Sequence, residues 1–450
     1  MYAKWIFLEV VSQVDYDDVS RLLSGFLKEM SMIRTLETAN ALMGSGQTEE
    51  GIKLLRDLAV SGDDQTQFGA ASIFQQYGFL DDARKVYERL LTRFPDDSEL
   101  ILQLSELLID KNEESLAIHY LEKVPPLDEN YLSAQVMLAD LFQLEGLVEV
   151  AEHKLLGALK RAPHQPILIL ALGELYLSAG EAGKAVDCFM EVKDNPELSK
   201  QNVPLKLAEA LSLSGNFEAS IDEYEKGLKN EKTLDGLFGY AVTAMRVHKH
   251  RKAIKALETL KSMDPGYSTL YNVLAEAYEH EGNLKKALAT VQAGLEQDEY
   301  NERLYVSGGI LSAKLHQNDQ AVHYFRKCLA LNPENMDALL HLTELMAQEE
   351  DYEGVIRLLG NTEIEDPMLI WFLATAYNQT DELKKAEAHY RRCASVFSAN
   401  PDFLQEYGEF LREIGQMNEG LNLLEKAALL SPENQDLAVF VERIKQDDQK

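Results

Sequence analysis

The chain has few of the residues that staple or anchor proteins. Three cysteines, Cys188, Cys328 and Cys393, occur in 450 residues, far apart and never in a C-x-x-C pair. That pattern excludes a disulfide framework and a zinc cluster. Basic residues are also few: 44 Lys and Arg stand against 75 Asp and Glu, a formal net charge of −31. A field of that sign opposes nucleic acid, which is held by basic patches that displace counterions, and opposes docking on anionic membranes. No apolar run approaches the ~20 residues of a membrane-spanning helix. The N-terminal MYAKWIFLEVV is broken by Glu9, and no small-residue cleavage site follows. A cytoplasmic protein without membrane insertion is expected.

Catalytic signatures are missing as well. There is no G-x-x-x-x-G-K-[ST] phosphate loop, no H-E-x-x-H and no G-x-S-x-G. His280–Glu281 lacks the second histidine that a metal site needs. No catalytic residue, metal or cofactor is expected. Cys328 and Cys393 read as buried fillers, since an unpaired cysteine behaves as a small hydrophobe. The hydrophobic fraction of 46% is ample for a folded core, so the acidity does not signal disorder.

What the sequence does contain is a period. Small residues recur at Gly51, Ala83, Ala117, Ala151, Ala185, Ser220, Ala253, Ala287, Ala321, Gly354, Ala386 and Gly420, a mean spacing of about 33.5 residues. Twelve residues before these anchors, eleven of twelve positions are again small, the exception being Leu342. Five before, glycine appears seven times: Gly46, Gly78, Gly146, Gly180, Gly215, Gly282 and Gly415. The remaining turns carry Asn112, His248, His316, Glu349 and Asp381. Four after the anchor every residue is apolar or aromatic, and twelve after it proline appears five times. A helix ended by a left-handed glycine, then a second helix ended by proline, accounts for this order. One such pair cannot bury its own apolar face, so the pairs must stack.

These residues resemble the tetratricopeptide repeat family over roughly residues 32–433. The segment LGELYLSAGEAGKAVDCF (Leu172–Phe189) is the nearest match. The resemblance implies an all-α solenoid, a right-handed superhelix of about twelve helix–turn–helix repeats, working through protein–protein contact. Residues 1–31 read as a degenerate N-terminal cap, with helices near Tyr2–Val14 and through Leu22–Met30. Residues 434–450 read as a capping helix with a polar tail, on the spacing of Leu437, Phe440, Val441 and Ile444.

The resemblance also implies that the residues eleven and fifteen before each anchor line a groove. The first set holds Glu106, Asp140, Glu174, Glu209, Glu276 and Glu409 and no basic residue, where chance gives about two acidic positions. The second set is mostly apolar and includes Leu102, Val136, Leu170, Leu205 and Phe238. An apolar stripe beside an acidic stripe suits a partner segment with Lys or Arg and large apolar residues. The plainer alternative is that the glutamates face water and the apolar residues pack between repeats. Met336, Met346, Met368 and Trp371 form a possible second surface, adaptable because methionine is. The basic run Arg246–Lys252 is either a solvated turn or a docking point for an acidic segment or a phosphate group. The expected function is a non-enzymatic adaptor for peptide segments of cytoplasmic proteins. The alternative is a ligand-responsive regulator acting through superhelix changes.

Overall fold

The computed structural model describes residues 16–360 and 364–447, and side chains from Met30 onward. Among the described residues there are twenty-five α-helices, one short 3-10 helix and no strand. The helices form two compact units that divide at Glu231/Lys232. The first holds six helical pairs, from Tyr16–Gly44 to Phe217–Asn230; the second holds six more and a final helix, Gln435–Asp447. The 34-residue rhythm runs through the division, from Ser220 to Ala253, so periodicity alone reads as one array.

Each turn is built the same way. The residue before the second helix donates its amide to a carbonyl five residues back: Gln47 to Leu42 at 3.0 Å, Glu181 to Tyr176 at 2.8 Å, Gln416 to Leu411 at 2.7 Å. This is the Schellman bond, and it requires a left-handed residue just before the donating amide. All seven turn glycines have positive φ, between 74° and 87°. The other five turns place Asn112, His248, His316, Glu350 and Asp381 there, with φ between 55° and 61°.

Glu350, not Glu349, is thus the left-handed residue of its turn, and the register of that repeat shifts by one. Its bond runs from the Asp351 amide to the Met346 carbonyl at 2.9 Å. The anchor becomes Val355, fully buried, in place of Gly354; the residue four later becomes Leu359, 1% exposed. The residue twelve before it is Thr343 rather than Leu342, and the residue eleven before it is Glu344 rather than Thr343. The rule of small anchors misplaced the repeat because Gly354 sits next to a larger true anchor.

Packing explains the small residues elsewhere. A Cβ on Gly173 would lie 2.6 Å from the Phe189 ring, and one on Gly309 would lie 2.4 Å from the Phe325 ring. The first helix must be bare where the second lays an aromatic ring across it. Burying each of those rings contributes about 1.5–3 kcal/mol. Ser220, the one serine anchor, is fully buried and donates to the Ala208 carbonyl at 2.6 Å. That bond removes the penalty of burying its hydroxyl.

At the ends, the expected helix over Tyr2–Val14 and the polar tail 448–450 lie outside the described residues. Tyr16–Gly44 is one continuous helix of 29 residues, so the boundary expected at residue 31 falls inside it. In the final helix Leu437, Val441 and Ile444 are buried and Phe440 is 40% exposed.

Candidate functional site

The first unit carries Glu106, Asp140, Glu174 and Glu209 at equivalent positions on the helices Ser98–Asp110, Tyr131–Leu144, Pro166–Ser178 and Val203–Leu213. Each position follows a buried small residue by one, so its side chain leaves the packed seam and turns outward. Glu106, Asp140 and Glu209 are exposed and Glu174 is half-buried. The carboxylates are not independent. Partial desolvation pushes the Asp140 carboxyl up to about 6, and the charge of Glu174 adds to the rise. Asp140 touches solvent yet is flanked by protein, which is how an accessible acid becomes desolvated. The Glu106 carboxyl is raised by desolvation and then by Asp110. Two tyrosines at core positions, Tyr87 and Tyr224, have their hydroxyls pushed up, first by burial and then by Glu106 and Glu209 respectively.

A basic residue does enter the stripe. Lys206, one turn before Glu209 on the next first helix, approaches Glu174 at 2.5 Å. It was invisible at the offset eleven before the anchor because it stands fourteen before its own. The same pair of offsets recurs in the second unit, where the Thr375 hydroxyl donates to Glu406 at 2.5 Å. Residues eleven before one anchor and fourteen before the next are therefore neighbours, a rule that spacing within one repeat does not reveal.

The apolar stripe divides. Leu102, Val136 and Leu205 are half-buried, available in part to a ligand. Leu170 is 2% exposed and belongs to the core. It cannot line a groove, because the Pro166–Ser178 helix is apolar almost all round and is buried on most sides. Phe238 and Glu276 lie in the second unit and do not join the first unit's acidic set. Phe238 is half-buried with its ring 5.3 Å from Tyr267, and Glu276 is exposed, 3.7 Å from the His280 imidazole. Glu344, found through the corrected register, is exposed at the position eleven before Val355 and makes the acidic set seven of twelve.

The possible second surface does not converge. Met336 and Met368 are exposed, but Met346 is 7% exposed and packs in the core. Trp371 is half-buried between Phe397 and Phe403, and its indole N–H donates to Glu406 at 3.0 Å. Helical spacing could not separate Met346 from the exposed Met336 and Met368, since it follows Leu345 into the buried cluster.

The basic run Arg246–Lys252 is a structural turn. His248 occupies the left-handed position, His250 stacks on His280 with centroids 4.6 Å apart, and Arg251 donates to Glu281 at 2.8 Å. Burial holds the His250 imidazole below its ordinary range, and His280 and His248 lower it further. The three thiols are pushed up to about 11, chiefly by burial. Such thiols are poor nucleophiles at neutral pH. Among the described residues no group of three or more His, Cys, Asp or Glu is placed to hold a metal ion. No described helix is long and apolar enough to cross a membrane.

Comparison with known proteins agrees with the helical pairs. Two family profiles described as YpiA-like tetratricopeptide repeats match residues 143–196 and 367–434. General tetratricopeptide repeat profiles match 244–305 and 303–335, and the ARM repeat of tetratricopeptide repeat protein 21 matches 28–145. The TPR repeat-containing protein YpiA of Bacillus subtilis (strain 168) is 34% identical over 413 residues, which is 91% of this chain and 98% of that protein. Among solved structures, YrrB, described as a TPR protein with an unusual peptide-binding site, is 16% identical. That match covers 41% of this chain and 95% of YrrB, with a TM-score of 0.37. A tetratricopeptide repeat protein from Parabacteroides merdae ATCC 43184 is 19% identical. It covers 55% of this chain and 98% of its own, with a TM-score of 0.38.

Proposed function

The chain belongs to the tetratricopeptide repeat family, alongside the YpiA-like proteins, and from that premise we propose that it is a non-enzymatic cytoplasmic adaptor for segments of other proteins. Proteins of this family mediate protein–protein interaction. The first unit offers the binding groove: Asp140, Glu174, Glu106 and Glu209 beside Leu102, Val136 and Leu205. Its ligand is an extended or helical segment with Lys or Arg beside large apolar residues, which meets opposite charge and half-buried apolar surface together.

The observation that carries this reading is the coupled pair Asp140 and Glu174. Asp140 is partly desolvated, and the charge of Glu174 on the successive repeat adds to the cost of ionising it. An incoming cation relieves both penalties at once. Lys206 pairs with Glu174, and among the described residues Asp140 has no ion-pair partner.

Affinity capture with wild type and with Asp140→Lys/Glu174→Lys tests the reading. Partners recovered by wild type are expected to be lost by the variant. The same partners recovered in the same yield would overturn the proposed site.

A further inference from the structure

The second helix of the third repeat is cut short. Glu114–Leu121 has 8 residues, where the second helices Leu80–Arg93 and Phe217–Asn230 have 14. Pro125 and Pro126 follow, and neither can continue the hydrogen-bond ladder. A cavity of about 770 Å³ lies between the connection that follows this short helix and the next repeat. Its lining reverses the sign of the chain. His153, Lys154, Lys160 and Arg161 face a single acidic residue, Glu122, in a protein of net charge −31.

Lys154 pairs with Glu122 at 3.1 Å, and Arg161 lies over the Tyr131 ring at 5.7 Å. Among the described residues neither Lys160 nor Arg161 has a carboxylate partner. Beneath them Gln135, 6% exposed, lines the cavity, and its side-chain amide has no hydrogen-bond partner among the described residues. The Gln135 amide is not among the fully enclosed polar groups, so it reaches the cavity and can exchange water for a ligand's hydrogen bond. Gly157 opens the wall, since a Cβ there would meet nothing within 4 Å. Next in sequence to the lining residues Pro126 and Gly157, Leu127 is 96% exposed and Leu156 39%.

The structure assigns to this cavity a second binding site, for an acidic protein segment that carries an apolar side chain. Carboxylates meet Lys160 and Arg161, a ligand amide or carboxylate satisfies Gln135, and the apolar side chain covers Leu156. The net negative charge of the chain disfavours such a segment on average, and the basic lining offsets that here. Its lining shares no residue with the acidic groove.

Fluorescence anisotropy of a labelled Glu/Asp-rich peptide with one Leu, on the full chain, tests the assignment. Saturable binding that weakens with salt is expected, reduced about tenfold or more by Lys160→Glu/Arg161→Glu. Gly157→Leu, which fills the cavity without changing charge and suits a helix, is expected to weaken it as well. Asp140→Lys/Glu174→Lys is expected to leave this binding in place, so its failure is distinct from that of the acidic groove. Unchanged affinity in both cavity variants, or no binding by wild type, would overturn the site.

Discussion

Glu174 and Lys206, on first helices of successive repeats, stand 2.5 Å apart and set the balance of the acidic face. Lysine cancels one carboxylate of four and leaves its neighbour Asp140 with a carboxyl raised to about 6.

That raised acid gives the fold a pH signature. The ionised form is disfavoured in the folded chain, so Asp140 contributes no penalty below about pH 4 and its full penalty above about 6. Asp140→Asn is therefore expected to raise the thermal midpoint at pH 8 and to leave it unchanged at the acid end. The side chain touches water, and after solvent screening the gain is below about 1 kcal/mol. Thermal melts at several pH values check the slope.

The register of the tenth repeat is testable by two neighbouring substitutions. Glu350 has φ 58°, a conformation that costs an L-residue about 1 kcal/mol and glycine almost nothing. Glu350→Gly is expected to stabilise by about that much. Glu349→Gly is expected to destabilise, because Glu349 has φ −89° and accepts from Asn318 at 3.1 Å. Urea unfolding of both variants separates the two registers.

Close approach at Gly309 makes a sharper demand. Gly309→Ala brings a Cβ to 2.4 Å from the Phe325 ring and is expected to cost about 1–3 kcal/mol despite alanine's better helix propensity. Pairing it with Phe325→Leu is expected to recover part of the loss. A double-mutant cycle reads the coupling.

Glu406 holds the second unit's polar knot. It accepts from the Trp371 indole at 3.0 Å, the Thr375 hydroxyl at 2.5 Å and the Tyr390 hydroxyl at 2.6 Å. Glu406→Leu leaves the Trp371 indole and the Tyr390 hydroxyl without an acceptor, while the Thr375 hydroxyl keeps the Trp371 carbonyl at 3.1 Å, and is expected to cost about 2–4 kcal/mol. Glu406→Gln, which keeps an acceptor, is expected to cost less. Trp371 fluorescence in a Trp5→Phe background follows the unfolding directly.

Much of this fold was legible in the sequence, and the reasons are local. A left-handed turn position selects glycine, and a close helix crossing selects Ala, Gly or Ser, so both leave marks at fixed offsets. Those marks located the turns at Gly46 to Gly415 and every anchor but one. Val355 escaped because a β-branched residue, too, can be fully buried at an anchor position. The site was less legible. Leu170 and Leu102 share an offset, yet only Leu102 reaches the surface, since burial depends on how apolar the whole helix is. Lys206 belongs to a relation between repeats, and the cavity above Gln135 lies beside the connection that follows the short helix ending at Leu121. Neither leaves a mark at any single offset.

Titration calorimetry of a Lys-rich peptide bearing two Leu residues measures the acidic face itself. Wild type is expected to bind it saturably, with affinity falling as salt rises. Asp140→Asn/Glu174→Gln is expected to weaken binding about tenfold, while Lys160→Glu/Arg161→Glu leaves it in place. Equal affinity in wild type and Asp140→Asn/Glu174→Gln, or no binding by wild type, would contradict a groove built on these carboxylates.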